Sequence, residues 1–246
     1  MRRGRAVVPP VDAILVVVPA HDEEQLLPAC LDSVQRAVGA LQAARPGAAV
    51  VALVVLDGCT DGSADVVAAA GMAGLVTDRA GVGPARRAGV EAAVDLLGGA
   101  GTGADRTWLA CTDADSVVPD HWLTRQLDLA DAGADVVVGT VRPRLDELSP
   151  DRAAAWRERH VPGSANGHVH GANLGVRLAT YEAAGGFAAV VEHEDVGLVH
   201  AARRHGARVV ADARAEVLTS GRLQGRTPGG YARHLREDLV PLDRSA

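Results

Sequence analysis

Four groups of acidic residues have the types and spacing to do chemistry: His21-Asp22-Glu23-Glu24, Asp57-Gly58-Cys59-Thr60-Asp61-Gly62-Ser63, Asp113-Ala114-Asp115-Ser116 and Glu194-Asp195. Carboxylates gathered on one rim repel, and a bound cation or a hydrogen-bonded ligand offsets that cost. An Asp-x-Asp presents two carboxylates to a hard divalent ion, which can in turn bridge a diphosphate. A carboxylate elsewhere in the same site can take a proton from an attacking hydroxyl. Each group alone also has a simpler explanation. Asp61 suits a helix cap, and Asp22, Glu23, Glu24, Glu194 and Asp195 suit helix N-termini, where negative charge is favoured. The order of the groups along the chain carries more weight than any one of them.

The elements that must position these groups alternate. Ala13–Val18 is an apolar strand-length run, followed by a helical stripe from Glu23 to about Ala44 with Pro28 in its first turn. Val50–Leu56 is a second strand, and a helix capped by Asp61 runs to Ala70. Gly83-Pro84 opens a helix to about Leu97, and Thr107–Thr112 is a third strand. Strands and helices in this alternation predict an α/β fold, a Rossmann-like, mostly parallel sheet flanked by helices in a single compact domain. Ligands of such sheets bind at the carboxyl ends of strands, and the first three acidic groups fall there. Beyond about Pro119 the pattern loosens. Helices are expected at 120–132, 150–159 and 194–205, and a strand at 134–141. The expected organisation is a flexible tail (1–11), a nucleotide-type half (12–118), a second half (119–225) and a C-terminal helical tail (226–246).

Composition narrows the chemistry further. The chain has 246 residues, a formal net charge of −6 and only 2% aromatic residues. That charge is a poor footprint for a nucleic-acid binder. All 25 basic residues are arginine, which excludes Schiff-base chemistry and a P-loop lysine. The apolar runs are too short to span a membrane. Cys30, Cys59 and Cys111 lack paired spacing, so a reducing, cytoplasmic setting is expected, peripheral attachment to the inner face of the membrane being compatible with it.

The ordered set resembles the family-2 glycosyltransferases of the GT-A fold. Val18-Pro19-Ala20-His21-Asp22-Glu23-Glu24, Asp57 to Ser63 and Thr112-Asp113-Ala114-Asp115 carry the resemblance, with Gly171-Ala172-Asn173-Leu174-Gly175, Gly185-Gly186-Phe187 and Glu194-Asp195-Val196-Gly197-Leu198. The resemblance implies a metal-dependent, inverting transfer of one sugar from a nucleotide-diphosphate sugar to an acceptor hydroxyl. It implies that Asp57 bonds the donor's base, with Pro19, Ala20 and Glu23 lining the same pocket. Asp113 would face the ribose or the metal, and Asp115 would hold Mg²⁺ or Mn²⁺. Arg86, in the segment Gly81 to Arg86, would contact the nucleotide. Asp195 would be the general base, with Glu194 beside it. Asn173, His193 and Trp122 are the candidates for the acceptor, itself a small molecule or lipid-linked. A monomer or homodimer is expected.

Two departures matter. The strand end where many GT-A enzymes place a metal-binding histidine reads Leu218-Thr219-Ser220-Gly221-Arg222. Arg222, and less so Arg226, could meet the diphosphate instead, because a guanidinium fork suits phosphate oxygens. The Gln-x-x-Arg-Trp motif of processive synthases is absent, which implies a single transfer. His168 and His170 alternate as on a strand, but no further close ligands follow for zinc, so an acceptor-side or structural role is expected. The alternatives are a sugar-phosphate nucleotidyltransferase and a catalytically degenerate nucleotide-sugar-binding subunit. A glycine-rich first loop and a lysine, which the former would want, are missing.

Overall fold

The computed structural model describes residues 9–78, 81–98, 102–190, 192–225 and 229–239. Most of the expected tail at 1–11, the Arg226 candidate and the last residues of the expected C-terminal helix therefore lie outside the described residues. One eight-stranded sheet runs through the molecule in the order β3-β2-β1-β4-β7-β6-β8-β5. Strands β1 (Ala13–Ala20), β2 (Ala49–Asp57), β3 (Ala73–Thr77) and β4 (Thr107–Cys111) are parallel. The short β7 (Leu174–Arg177) joins antiparallel to β4 and to β6 (Val136–Pro143). Beyond it, β8 (Val209–Thr219) runs parallel to β6, and the two-residue β5 (Ser116–Val117) closes the edge antiparallel to β8.

β1 is buried on both faces, and its side chains divide two cores between them. Ile14, Val16 and Val18 face α1 (Leu27–Ala44) and α4 (Trp122–Asp131), meeting Leu31, Val34, Leu123 and Leu127. Leu15 and Val17 face the other way, onto Ala85, Val90 and Ala93 of α3 (Val82–Leu97) and Leu198, Val199 and Ala202 of α7 (Glu194–Arg204). This two-sided burial is why the strand reads as an unbroken apolar run instead of an alternating one. The remaining helices are α2 (Ser63–Ala69), α5 (Pro150–Arg159) and α6 (Leu178–Ala183). A third, smaller core packs Leu148, Ala153 and Trp156 of the α5 region against Leu235 and Leu239. It fastens the described C-terminal segment, a helical turn at Tyr231–Arg233 continued by wider turns at His234–Asp238, onto α5.

Several boundaries differ from the sequence expectation. α1 begins at Leu27, not Glu23, because the Glu23 carbonyl accepts from both Leu26 N–H and Leu27 N–H and closes a turn first. Pro28, which has no N–H to donate, then lies in the first helical turn. Gly62, not Asp61, caps α2; Asp61 sits one residue outside and accepts from Ser63 N–H at 3.0 Å. The segment with His168 and His170 is loop, not strand.

Candidate active site

The parallel strands deliver their acidic ends to one rim, and the rim opens into a cavity of about 920 Å³. Asp57, the last residue of β2, pairs across the sheet with Thr77 of β3. That register puts the Thr77 hydroxyl 3.0 Å from Asp57 Oδ1, while Gly81 N–H donates to Oδ2 at 3.0 Å. Nδ1 of His21 lies 2.8 Å from the Asp57 carbonyl oxygen. Asp57 therefore fastens the chain entering α3 to the end of β2. Pro19, Ala20 and Glu23, from the end of β1 and the loop after it, line the same cavity.

Asp113 and Asp115 follow β4. Arg86, buried in the first turns of α3, donates to Asp113 Oδ1 through one nitrogen and to Glu194 Oε1 through another. Burial alone would depress the ionisation of Arg86, but Asp113 and Glu194 outweigh it and hold its pKa raised. Burial raises the Glu194 pKa, and Arg86 opposes that rise. The bridge needs room as well as charge. A Cβ on Gly171 would stand 2.2 Å from an Arg86 nitrogen, so glycine is the residue that lets this guanidinium lie flat against the chain. Gly171 also donates its N–H to Asp195 Oδ2 at 2.7 Å. Asp195 Oδ1 accepts from Val196 N–H at 2.7 Å, and the residue lies in the first turn of α7.

Asp115 is almost enclosed. Its Oδ1 lies 3.2 Å from the Ser116 hydroxyl and 3.3 Å from the Thr219 hydroxyl, and its Oδ2 is 2.9 Å from an Arg222 nitrogen. Arg222 also grips Glu23 with both nitrogens, at 3.0 and 2.7 Å. Burial pushes the Asp115 carboxyl up to about 6; Arg222 pulls it back, while Asp113 and Glu23 raise it. Oδ2 of Asp113 has no protein partner among the described residues. A carboxylate pair with an unengaged oxygen beside a repelling third acid is the donor chemistry of a hard divalent ion. The residues fit such an ion provided that Arg222 yields its hold on Asp115. Another close set of donors, Asp22, Cys59 and Asp61, is already a hydrogen-bonded turn. Asp22 accepts from Thr60 N–H and Asp61 N–H, Asp61 from Glu24 N–H and Ser63 N–H, and the Cys59 thiol donates to the Ala20 carbonyl.

The geometry sets the remaining candidates apart. Trp122 and Asn173 are both buried: Trp122 Nε1 donates to Asn173 Oδ1 at 2.9 Å, and Asn173 Nδ2 donates to the Thr140 and Ala215 carbonyls. They tie α4 to the sheet. Arg86 lines the cavity while two carboxylates hold its guanidinium. Glu194 gives its carboxylate to that bridge, whereas Asp195 accepts from Gly171 N–H and Val196 N–H. His193 stands at the cavity with a side chain 68% exposed, in the left-handed backbone region at φ 62°.

Apart from His170, the sequence reading missed a set of rings. Trp156 stacks on His160 with centroids 4.0 Å apart and donates from Nε1 to the Tyr231 hydroxyl at 3.3 Å. Tyr231 meets His170 edge-on at 5.5 Å and lies 5.8 Å from His234. All of them line the cavity. The available signal was Gly229-Gly230-Tyr231, an aromatic beside a glycine pair in a chain with almost no aromatics.

The family model for glycosyl transferase family 2 matches residues 15–185. The chain belongs to that family. Uncharacterized glycosyltransferases of Mycobacterium tuberculosis and Mycobacterium bovis are 36% identical over 132 residues, 54% of this chain and 50% of theirs. The match thus spans about half the length of those curated relatives. Among solved structures, the mannosyltransferase PcManGT of Pyrobaculum calidifontis, in complex with GDP-Man and Mn²⁺, aligns with a TM-score of 0.63 at 20% identity, over 92% of this chain and 62% of that one. TarS residues 1–349 of S. aureus, in complex with UDP, aligns at 0.55 and 15% identity, over 84% and 60%. The fold of this family-2 glycosyltransferase is GT-A. No helix among the described residues is long and apolar enough to cross a membrane.

Proposed function

We propose that this glycosyltransferase moves one sugar from a nucleotide-diphosphate sugar to an acceptor hydroxyl, with inversion at the anomeric carbon. One observation carries the reading. The Arg86 bridge ties Asp113, on the strand-end rim, to Glu194, the neighbour of Asp195, so the carboxylates suited to a diphosphate and the carboxylate suited to be a base share one cavity. Asp195, oriented by Gly171 N–H, takes the acceptor hydroxyl's proton as its oxygen attacks the anomeric carbon. The bond from that carbon to the diphosphate oxygen breaks, and its electron pair leaves with the diphosphate. Asp57, Pro19, Ala20 and Glu23 form the donor's nucleoside end of the cavity. Asp113 and Asp115 would hold Mg²⁺ or Mn²⁺, which supplies charge neutralisation for the leaving diphosphate when bound. The nucleotide-sugar and Mn²⁺ complexes of structural relatives support this reading, and the family match argues against a nucleotidyltransferase.

The test is turnover against a panel of nucleotide sugars with Mn²⁺, with product analysis. Release of nucleoside diphosphate and a product of inverted anomeric configuration is the expected result. A product of retained configuration overturns inversion; conversion of a nucleotide sugar and added pyrophosphate to nucleoside triphosphate and sugar 1-phosphate, with no sugar transferred, overturns sugar transfer.

A further inference from the structure

Resting on the sugar-transfer reading above, we propose that Arg222 is a resident cation that competes with the divalent ion for Asp115, and so makes ion binding conditional on the donor's diphosphate.

Among the described residues, the cluster at the end of β8 brings the Arg222 guanidinium to Glu23 and Asp115, close to Asp113, which Arg86 holds. Arg222 lies between Glu23 and Asp115, with Asp113 two residues before Asp115 in the chain. Glu23 and Asp115 are enclosed, with side chains 7% and 13% exposed, whereas the Arg222 side chain is 29% exposed. Two cations on one enclosed carboxylate repel, and the low dielectric of the site leaves that repulsion poorly screened. A divalent ion arriving alone must therefore displace a charge that already satisfies Asp115. With a diphosphate present the exchange balances. The donor's oxygens offer the guanidinium fork a new anionic partner, and Asp115 passes to the ion.

The backbone is arranged so that the side chain alone moves. Glu147 accepts from the Ser220 hydroxyl at 3.0 Å and from Gly221 N–H at 2.6 Å. A Cβ on Gly221 would stand 2.5 Å from the Arg144 carbonyl oxygen, so the chain at 220–221 is seated against residues 144–147. Arg222 leaves this anchored turn on a long, flexible stem, long enough to exchange one set of oxygens for another. Because metal and diphosphate each favour the state the other needs, their affinities are coupled reciprocally.

Mn²⁺ binding is measured by calorimetry and electron paramagnetic resonance, without donor sugar or acceptor. Wild-type protein is expected to bind Mn²⁺ at least tenfold more weakly alone than with saturating UDP or GDP, after correction for the Mn²⁺ those nucleotides hold in solution. Equal affinity in both conditions overturns the proposal on wild-type protein alone. Arg222→Gln is expected to tighten Mn²⁺ binding in the absence of nucleotide about tenfold and to shrink the nucleotide's effect. Arg222→Lys, which keeps the charge, stays within about threefold of wild type. A folded Arg222→Gln protein whose Mn²⁺ affinity is unchanged or weaker overturns the competition, as does an Arg222→Lys protein that tightens as much as Arg222→Gln. Since no step reads transfer, an inactive wild type that passes these tests would defeat the sugar-transfer reading and leave the competition standing.

Discussion

The rim at the ends of β1, β2 and β4 and the ring-lined wall of the same cavity are built by different means. On the rim, each acid follows directly from a buried strand, and the parallel register fixes its neighbours: Asp57 meets Thr77 because β2 pairs with β3. The wall has no such scaffold. It joins α5, the loop at 160–170 and the turn at Tyr231–Arg233, segments brought together by packing such as Trp156 on Leu235 and Leu239 and by side-chain hydrogen bonds such as Trp156 Nε1 to the Tyr231 hydroxyl. One side is rigid and acidic, the other aromatic and rich in imidazole. A site built this way can keep its first side constant while the second is rebuilt, because loops tolerate change that strand ends do not.

The largest expected effect tests whether the two sides meet in the reaction. Asp195→Asn should lower turnover by about 10²–10⁴-fold, the usual contribution of a general base, with donor affinity retained in calorimetry. Retained turnover would separate the sides. Next, Arg86→Leu should lower the unfolding free energy by about 3–5 kcal/mol, because it leaves Glu194 buried without its partner; chemical denaturation measures this. Leu ends at Cδ and also vacates the space beside Gly171 that the guanidinium fills, so the loss combines charge and packing.

The wall can be probed by pH. Burial lowers the His170 pKa to about 4, below the ordinary value near 6.5. Between those values the unfolded chain binds a proton that the folded one refuses, so stability falls as pH drops from about 6.5 towards 4. The full linkage is on the order of 3 kcal/mol, and His170→Gln should flatten that part of the denaturation profile. A profile of unchanged slope would place His170 in water. The smallest effect concerns a residue on neither side. Trp122→Phe should cost about 1–3 kcal/mol by leaving Asn173 Oδ1 unpartnered, while acceptor KM stays unchanged. A raised acceptor KM at wild-type stability would return Trp122 to the cavity.

The same division explains what could be read from residues alone. β1, β2 and β4 are apolar runs buried on both faces, and the acids after them announce the rim. β3 escaped notice because it is short, carries Gly74 and leaves Val76 77% exposed, so neither alternation nor an apolar run marks it. β7 escaped because four residues interrupted by Gly175 become a strand only through antiparallel partners on both sides. In the site, residue types were legible and pairings were not. Arg86 bonds acids 27 and 108 positions away, and Arg222 an acid 199 positions away. No local pattern encodes such distances. Trp122 and Asn173 show the complementary limit: a polar pair bonded inside a core has the same composition as one facing a ligand.

Gly171 gives its N–H to the carboxylate of Asp195 and, through the side chain it lacks, its space to Arg86. Orientation of one carboxylate and seating of the charge bridge thus meet at a single atom-poor position. A related chain with a larger residue there would have to move the Arg86 guanidinium away from the chain that holds Asp195. One substitution at position 171 therefore probes the bridge and the carboxylate together.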